Sequence, residues 1–491
     1  MSSETELKLW LNPADIETFR SLARLGRARP REEALRTLYF DTPDFTLASH
    51  GIALRVRRTG RRWVQTLKTE GEKSGGLSKR LELETPVSKP MPDFSRLPAG
   101  ITDKLIKKKW RTRLAPVYET RFRRTAWNLR APDGSRVEVA LDVGEIVAGK
   151  KSEPLCEVEL ELKAGSAEAL YGLARTFAQK VLLIPLDASK AERGARLAAG
   201  KPRRPATAVM PELASDMPAC AAFARIARAC LAQLQANLPG LLQAEDPEYL
   251  HQARVALRRL RSAAGLFRKA CPPPAEEMGR MAELARALGE ARDWDVFVLV
   301  GLAGMIEPVP SAQKALLARR AHAARRKARA AALATARRAQ TGVDLLTLHC
   351  WLNELEAAPG RPVLARMATK KLARLHEAVL AAAEGFSEQT PAQRHALRIR
   401  VKRLRYALDY LGGLFGGHGK FAACFADLQD ELGELNDGVT ARRFLGLLNP
   451  DGRLGTLEAQ LAGSLDARMQ DRIAGIDGTL REFSRLAPPW R

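Results

Sequence analysis

Charged and apolar residues alternate along short stretches of the first 200 residues. The clearest are Glu4-Thr5-Glu6-Leu7-Lys8, Leu54-Arg55-Val56-Arg57, Arg80-Leu81-Glu82-Leu83-Glu84 and Glu157-Val158-Glu159-Leu160-Glu161-Leu162-Lys163. A strand sends successive side chains to opposite faces, so each stretch has one apolar face and one face of carboxylates and cations. Strand-like runs recur at 36–40, 52–57, 63–68, 80–85, 121–129, 136–143 and 156–162. Gly60, Gly75-Gly76 and Pro132-Asp133-Gly134 separate them, the last a hairpin signal. Helical spacing predicts short helices over 13–25 and 167–180, the second carrying Leu170, Leu173 and Phe177. The expectation is a mainly antiparallel β domain over residues 1–200.

Residues 201–215 read as a linker. Beyond them, residues 216–491 are rich in Ala, Leu and Arg at helical spacing, with breaks at the Pro-Pro-Pro of 272–274, at Gly412-Gly413 and at Gly416-Gly417. This half repeats itself. His251-Gln-Ala-Arg254-Val-Ala-Leu-Arg258-Arg259-Leu260-Arg261 returns as His395-Ala-Leu-Arg398-Ile-Arg-Val-Lys402-Arg403-Leu404-Arg405, an offset of 144 residues (395 less 251). Leu288-Gly289-Glu290-Ala-Arg-Asp293 returns as Leu432-Gly433-Glu434-Leu-Asn-Asp437 at the same offset. Two related helical bundles, about 218–350 and 362–491, are predicted. The fold class is therefore α+β multidomain, an N-terminal β domain followed by an all-α domain.

The chain has 491 residues, enough for two or more domains. Its formal net charge is +24, with 80 Lys and Arg against 56 Asp and Glu, and the excess is spread over both halves. That balance favours a polyanionic partner. No apolar run is long enough to span a bilayer, and Glu4 and Glu6 stand where a signal peptide would need its apolar region. A cytoplasmic protein without a membrane partner is expected. The six cysteines have no CxxC spacing, so reduced thiols are expected rather than zinc or disulfides.

Closing the strands into a barrel with the charged faces inward would line a lumen with alternate residues. The inward set would be Glu4, Glu6, Lys8, Arg55, Arg57, Lys68, Arg80, Glu82, Glu84, Glu138, Asp142, Glu157, Glu159 and Glu161. A chain of phosphates needs several cations, and hard divalent ions take carboxylate and phosphate oxygens together. Three adjacent same-face glutamates at 157–161 cost stability unless a cation sits among them. The chain has no Gly-rich phosphate loop and no Ser/His/Asp signature, which suits a reaction run by positioning and charge neutralisation.

The Glu4-x-Glu6-x-Lys8 start resembles the ExExK signature of CYTH domains, the triphosphate tunnel metalloenzymes. The resemblance continues through Tyr39-Phe40-Asp41-Thr42, Gly51-x-x-Leu54-Arg55-x-Arg57, Lys68, Arg80-x-Glu82, Arg124-x-x-Trp127, Asp142-x-Gly144 and Glu157-x-Glu159 to Ser189-Lys190. It implies an eight-stranded antiparallel tunnel, with flanking helices, that hydrolyses or cyclises triphosphates with Mg²⁺ or Mn²⁺. Carried onto this sequence, Lys8, Arg55, Arg57, Lys68, Arg80, Arg124 and Lys190 would hold phosphates. Glu4, Glu6, Asp142, Glu157, Glu159 and Glu161 would hold metal, and Glu82 and Glu138 are further candidates. Glu4, Glu6 and Lys8 would be the catalytic residues. A bulge in the strand around residue 124 would put Arg123 in place of Arg124.

In the second half, His251, Arg254, Arg258 and Arg261 lie close to one helix face, as do His395, Arg398, Lys402 and Arg405 in the repeat. Four like charges in a stripe call for a counter-anion, and a pseudo-twofold would bring both stripes to one channel. Arg319, Arg320, Arg325 and Arg326 could extend it, while Asp293 and Asp437 could pair with basic residues. The duplicated motifs resemble the CHAD domain, which implies polyphosphate binding without catalysis. The expected ligands are thus inorganic triphosphate and polyphosphate, and the expected location is cytoplasmic, with association to polyphosphate granules. Nucleic acid is disfavoured because the basic helices lack interleaved aromatics. An adenylate cyclase, a thiamine-triphosphatase and a non-enzymatic polyphosphate binder are the alternatives.

Overall fold

Alternation does build strands here, because one face of each can be buried under helices while the other meets opposite charges across a lumen. A computed structural model describes residues 2–22, 25–26, 28–60, 62–302, 311–357, 363–416 and 419–490. The strands are β1 (Ser2–Leu11), β2 (Arg31–Asp41), β3 (Ile52–Thr59), β4 (Arg62–Thr69), β5 (Glu72–Ser74), β6 (Leu77–Val87), β7 (Ala115–Arg130), β8 (Arg136–Ala148), β9 (Lys151–Ala164) and β10 (Leu183–Pro185). Eight of them form a closed antiparallel ring, β1-β9-β8-β7-β2-β3-β4-β6 and back to β1. The short β5 and β10 pair with β6 and β1.

Register decides what the lumen contains, since directly opposed residues share a face. Lys8 lies opposite Glu159, and Glu6 opposite Glu161, which in turn lies opposite Glu138. Glu157 lies opposite Asp142, and Asp142 opposite Arg124. Arg55 faces Tyr39, Lys68 faces Glu82, and Glu4 faces Arg80. The register is regular at Arg124, so Arg124 takes the inward position and Arg123 the outer one, opposite Val143.

The opposite faces are apolar and covered. Leu7, Leu9, Val139, Leu141, Val158 and Leu160 pack with Leu170, Leu173 and Phe177 of helix α5 (Glu168–Ala178). Leu54, Val56 and Leu67 pack with Phe40, Ile106 and Trp110. Leu160 is fully buried, so Leu160→Ala is expected to cost about 2–5 kcal/mol, read as a lowered denaturant midpoint. Helices α1 (Ile16–Arg20), α2 (Thr46–Ser49), α3 (Ala99–Leu105) and α4 (Lys108–Arg111) lie between strands. The helix expected over 13–25 is a 3₁₀ turn at Pro13–Asp15 followed by α1; residues 23 and 24 lie outside the described residues. Asp41 accepts from the backbone N–H of Thr42, Leu47 and Ala48, which fixes the turn into α2.

Helix α6 (Lys190–Ala198) begins with a reciprocal cap between Ser189 and Glu192. It lies close to the barrel wall at Gly194, where an added Cβ would meet the Tyr118 ring at 2.1 Å. Only glycine permits that approach, and it sets how far Lys190 reaches inward.

The remaining helices are α7 (Ala219–Gln243), α8 (Pro247–Phe267), α9 (Ala275–Val296), α10 (Ser311–Ala336), α11 (Ala339–Ala357), α12 (Leu364–Ala383), α13 (Pro391–Leu411), α14 (Gly419–Leu448) and α15 (Thr456–Arg485). Helices α8 and α13 both span 21 residues and both start on a proline behind a capping side chain, Asp246 or Thr390. Their first residues, 247 and 391, keep the offset of the sequence repeat. Gly417, expected to punctuate the helices, lies outside the described residues.

The chain divides into two compact units. One comprises Met1–Ala206 with Gln235–Gly240 and Arg337–Cys350; the other comprises Thr207–Leu234, Leu241–Ala336 and Trp351–Arg491. One expectation is corrected. Cys220 and Cys271 form a disulfide, with Cα atoms 5.8 Å apart. They stand 51 positions apart in the sequence, and only the packing of α7 beside the end of α8 makes them neighbours. Among the described residues no helix is long and apolar enough to cross a membrane.

Candidate functional site

The barrel encloses a cavity of about 460 Å³. Glu4, Glu6, Lys8, Arg55, Arg57, Lys68, Arg80, Arg124, Glu159, Glu161 and Lys190 all line it, with Glu82, Glu84 and Glu138. Asp142 and Glu157 are fully buried and do not line it.

Most of these charges are paired across strands. Lys68 Nζ meets Glu4 Oε2 at 2.7 Å and Glu82 Oε1 at 3.1 Å. Arg80 spans Glu4 at 3.0 Å and Glu6 at 2.6 Å, and Lys8 Nζ lies 3.4 Å from Glu6. Arg124 donates twice to Asp142, at 2.7 Å each, and once to Glu159 at 2.5 Å. Arg57 differs. Among the described residues it has no carboxylate within 4.0 Å, and its Nε donates only to Thr37 Oγ1 at 3.3 Å. Burial, then the neighbouring Arg55 and Arg124 charges, push its pKa down to about 10, so it remains a cation at neutral pH.

Asp142, Glu157 and Glu159 bring oxygens within 4.8 Å of one another, an arrangement that could hold a metal ion. The ammonium of Lys190 sits among them, 2.7, 2.6 and 2.8 Å from the three carboxylates. Arg193, one turn along α6, takes the other Glu157 oxygen at 3.1 Å and Glu153 at 2.7 Å. Burial alone would raise the Glu159 carboxyl, but Lys190, Arg124 and Lys8 outweigh it and hold it well below the usual range. Glu161 goes the other way. Burial raises it, Lys163 opposes, and Glu4 and Glu138 raise it further. Each of these carboxylates nonetheless keeps a cation: Lys163 lies 2.6 Å from Glu161, Arg31 3.0 Å from Glu138 and Lys68 2.7 Å from Glu4.

Tyr39, prominent in the sequence motif but given no role, stands in the lumen wall against Arg55. Its ring stacks on Tyr118 at 4.7 Å. Arg193 escaped the sequence reading, although its spacing from Lys190 behind a capping box was a usable signal.

The helical unit holds a separate cavity of about 1200 Å³. His251, Arg254 and Arg258 of α8 line it together with His395, Arg398 and Lys402 of α13. Arg292, Arg443, Arg468 and Arg472, not singled out from sequence, line it too. Arg261 instead lines a second cavity, of about 790 Å³, that shares Arg254 and Arg258. Arg405 lies outside both and pairs with Asp409 at 2.9 Å. Arg320 and Arg325 are held by Asp451 and Asp295 at 2.6 Å each, whereas Asp293 meets Arg254 at 3.4 Å. His251 Nδ1, Arg258 Nε and Arg398 Nε are buried without a hydrogen-bond partner among the described residues. Burial and the neighbouring Arg292 charge lower the His251 pKa.

Fold and lumen thus define the N-terminal unit as a closed antiparallel tunnel lined by charges of both signs, and the duplicated helices as a second, basic module. The chain is a fusion of a CYTH domain, matched at residues 2–195, with a CHAD domain, matched at 225–446. The inorganic triphosphatase of Haemophilus influenzae is 33% identical over 205 residues, covering 40% of this chain and 54% of that protein. The match therefore spans about half the length of that curated relative. The crystal structure of the CHAD domain from Ricinus communis is 30% identical, with a TM-score of 0.52, and covers 58% of this chain and 98% of that one. A Hippeastrum protein described as a putative adenylyl cyclase with a dominant triphosphatase activity is 22% identical, with a TM-score of 0.31, and covers 40% of this chain and 96% of that one.

Proposed function

We propose that the barrel hydrolyses inorganic triphosphate to pyrophosphate and phosphate with Mg²⁺ or Mn²⁺, and that the helical domain binds polyphosphate. The observation that carries the first part is Arg57, a lumen cation crowded by Arg55 and Arg124 and lacking a carboxylate of its own. A buried like-charge cluster is costly unless an anion joins it. In this reading Arg55, Lys68, Arg80 and Arg124 exchange carboxylate partners for phosphate oxygens, Arg57 offers a guanidinium with no carboxylate to give up, and Lys8 is the further cation facing Glu159.

The donor set fits a hard divalent ion. Glu4, Glu6, Glu159 and Glu161 offer only oxygens to the lumen, and burial, then the Glu4 and Glu138 charges, raise the Glu161 carboxyl against the opposing Lys163. We assign the metal to these four, and Asp142 and Glu157 to Lys190 and Arg193. A bound ion would polarise a phosphoryl oxygen and make an attacking water more acidic. The chain's own contribution is positioning: cations on both sides hold the phosphates in line, and the buried wall keeps bulk water out. Tyr39 and Tyr118 are stacked on each other rather than open to a nucleobase, which favours an inorganic substrate over ATP.

Phosphate release from triphosphate, ATP, thiamine triphosphate and long-chain polyphosphate, with Mg²⁺ or Mn²⁺ and after chelation, tests this. Triphosphate should be preferred and a chelator should abolish release. Preference for ATP or thiamine triphosphate would move the reading to those activities, and absence of turnover would leave a binding protein.

The polyphosphate assignment rests on the two converging stripes and on the unpartnered donors of His251, Arg258 and Arg398. With His251 and His395 both changed to Ala, and Arg258 and Arg398 to Gln, retention on a polyphosphate matrix is expected to fall at least tenfold with triphosphatase activity intact; unchanged retention would refute it. We place the protein in the cytoplasm, where polyphosphate granules would be its site of action.

A further inference from the structure

Lys402 is the one amine among the side chains that α8 and α13 bring to the large helical cavity. It is half-buried, and among the described residues no carboxylate lies within 4.0 Å of it. Its charged surroundings are Arg398 on its own helix, Arg254 and Arg258 on α8, and Asp437 on α14. Arg258 and Arg398 each keep a buried Nε–H without an acceptor. A phosphate group entering here meets guanidinium donors, and it meets them beside an amine.

We propose that Lys402 is an acylation site for small acyl phosphates, whose phosphate docks on the Arg258 and Arg398 guanidiniums while the amine attacks the carbonyl carbon. This shares with the polyphosphate reading only the premise that the cavity draws phosphate oxygens. The Nζ lone pair forms the C–N bond, and the carbonyl-to-phosphate C–O bond breaks with its electrons leaving on inorganic phosphate. The surplus ammonium proton passes to that phosphate or to water. The product is a neutral amide, so acylation removes one positive charge from the cavity.

The amine is suited to the attack. Burial first, then Arg398, Arg258 and Arg254, lower its pKa to about 7, against the partial opposition of Asp437. About half of it is then a free amine at pH 7, against less than one part in a thousand for an ordinary lysine. Lower basicity gives back part of that advantage, and docking of the phosphate beside the amine adds to what remains.

The full chain is incubated with acetyl phosphate at pH 7 and acetylation at each lysine is followed by peptide mass spectrometry. Lys402 should be acetylated at least tenfold faster than the exposed Lys370 and Lys420, and inorganic phosphate should slow it. Equal rates would overturn the proposal. With N-hydroxysuccinimidyl acetate, which carries no phosphate, the lead should shrink at least threefold; an undiminished lead would overturn the docking by Arg258 and Arg398. Polyphosphate retention of the same preparation separates the two readings. Lost retention with selective labelling removes only the polyphosphate assignment, and retention without selective labelling removes only this one.

Discussion

Lys190→Met is expected to destabilise the barrel by about 3–5 kcal/mol at pH 7, because it removes the cation shared by Asp142, Glu157 and Glu159 and leaves three close carboxylates under-neutralised. Asp142 and Glu157 are fully buried, and each lies within 2.7 Å of the Lys190 ammonium. Arg124 and Arg193 would remain, yet each already serves two carboxylates. Methionine keeps the stem length, so packing on the wall changes little and the deficit reports charge. Its pH dependence has a definite sign. In the parent the depressed Glu159 carboxyl contributes stability that is present above its unfolded value, near 4.3, and lost as pH falls through its lower folded value. Without Lys190 the trio repels itself, and at least one carboxyl rises above its unfolded value. That carboxyl takes up a proton as pH falls, so the variant regains stability relative to the parent between pH 7 and pH 5. Urea midpoints at pH 5, 6, 7 and 8 measure this. A deficit that is small, or the same at every pH, would mean that Lys190 does not neutralise the trio.

The barrel was legible because its signal is local. Period-two alternation at Glu4–Lys8 and Glu157–Glu161 fixes which side chains share a face, and pairing between strands only adds neighbours of the same face. The same parity placed Arg124 inward through Trp127, and β7 carries no bulge there. The helical repeat was legible for a similar reason, since α8 and α13 start at positions that keep its offset. What escaped depends on docking. Lys190 stands 31 positions beyond Glu159, and nothing in the intervening pattern says that its ammonium will enter the acidic trio. That follows from the close approach of α6 at Gly194 and Tyr118. The Cys220–Cys271 pair likewise arises from the packing of helix ends. Arg405 shares the stripe of His395 but sits ten residues on, about 15 Å along the axis, where Asp409 one turn further captures it.

Glu6→Gln is expected to lower triphosphate turnover by about 10²-fold or more while leaving the fold within about 1 kcal/mol of the parent. Glu6 is nearly fully buried in the lumen wall, and one of its oxygens accepts from Arg80 at 2.6 Å and lies 3.4 Å from Lys8. Glutamine keeps the shape and an acceptor for Arg80, and Arg80 also retains Glu4 at 3.0 Å, so the wall has no reason to open. What is lost is a negative charge at the place assigned to the divalent ion, beside Glu159 and Glu161. A second expectation separates metal binding from a structural effect. If Glu6 holds the ion, the metal concentration for half-maximal activity should rise at least tenfold in the variant, while the midpoint of unfolding stays put. Glu84 supplies the comparison, because its side chain is 52% exposed and meets Arg55 only at 3.8 Å. Glu84→Gln should change turnover less than tenfold. Equal losses in the two variants would say that the lumen needs negative charge in general, and full activity in Glu6→Gln would remove the tunnel mechanism altogether.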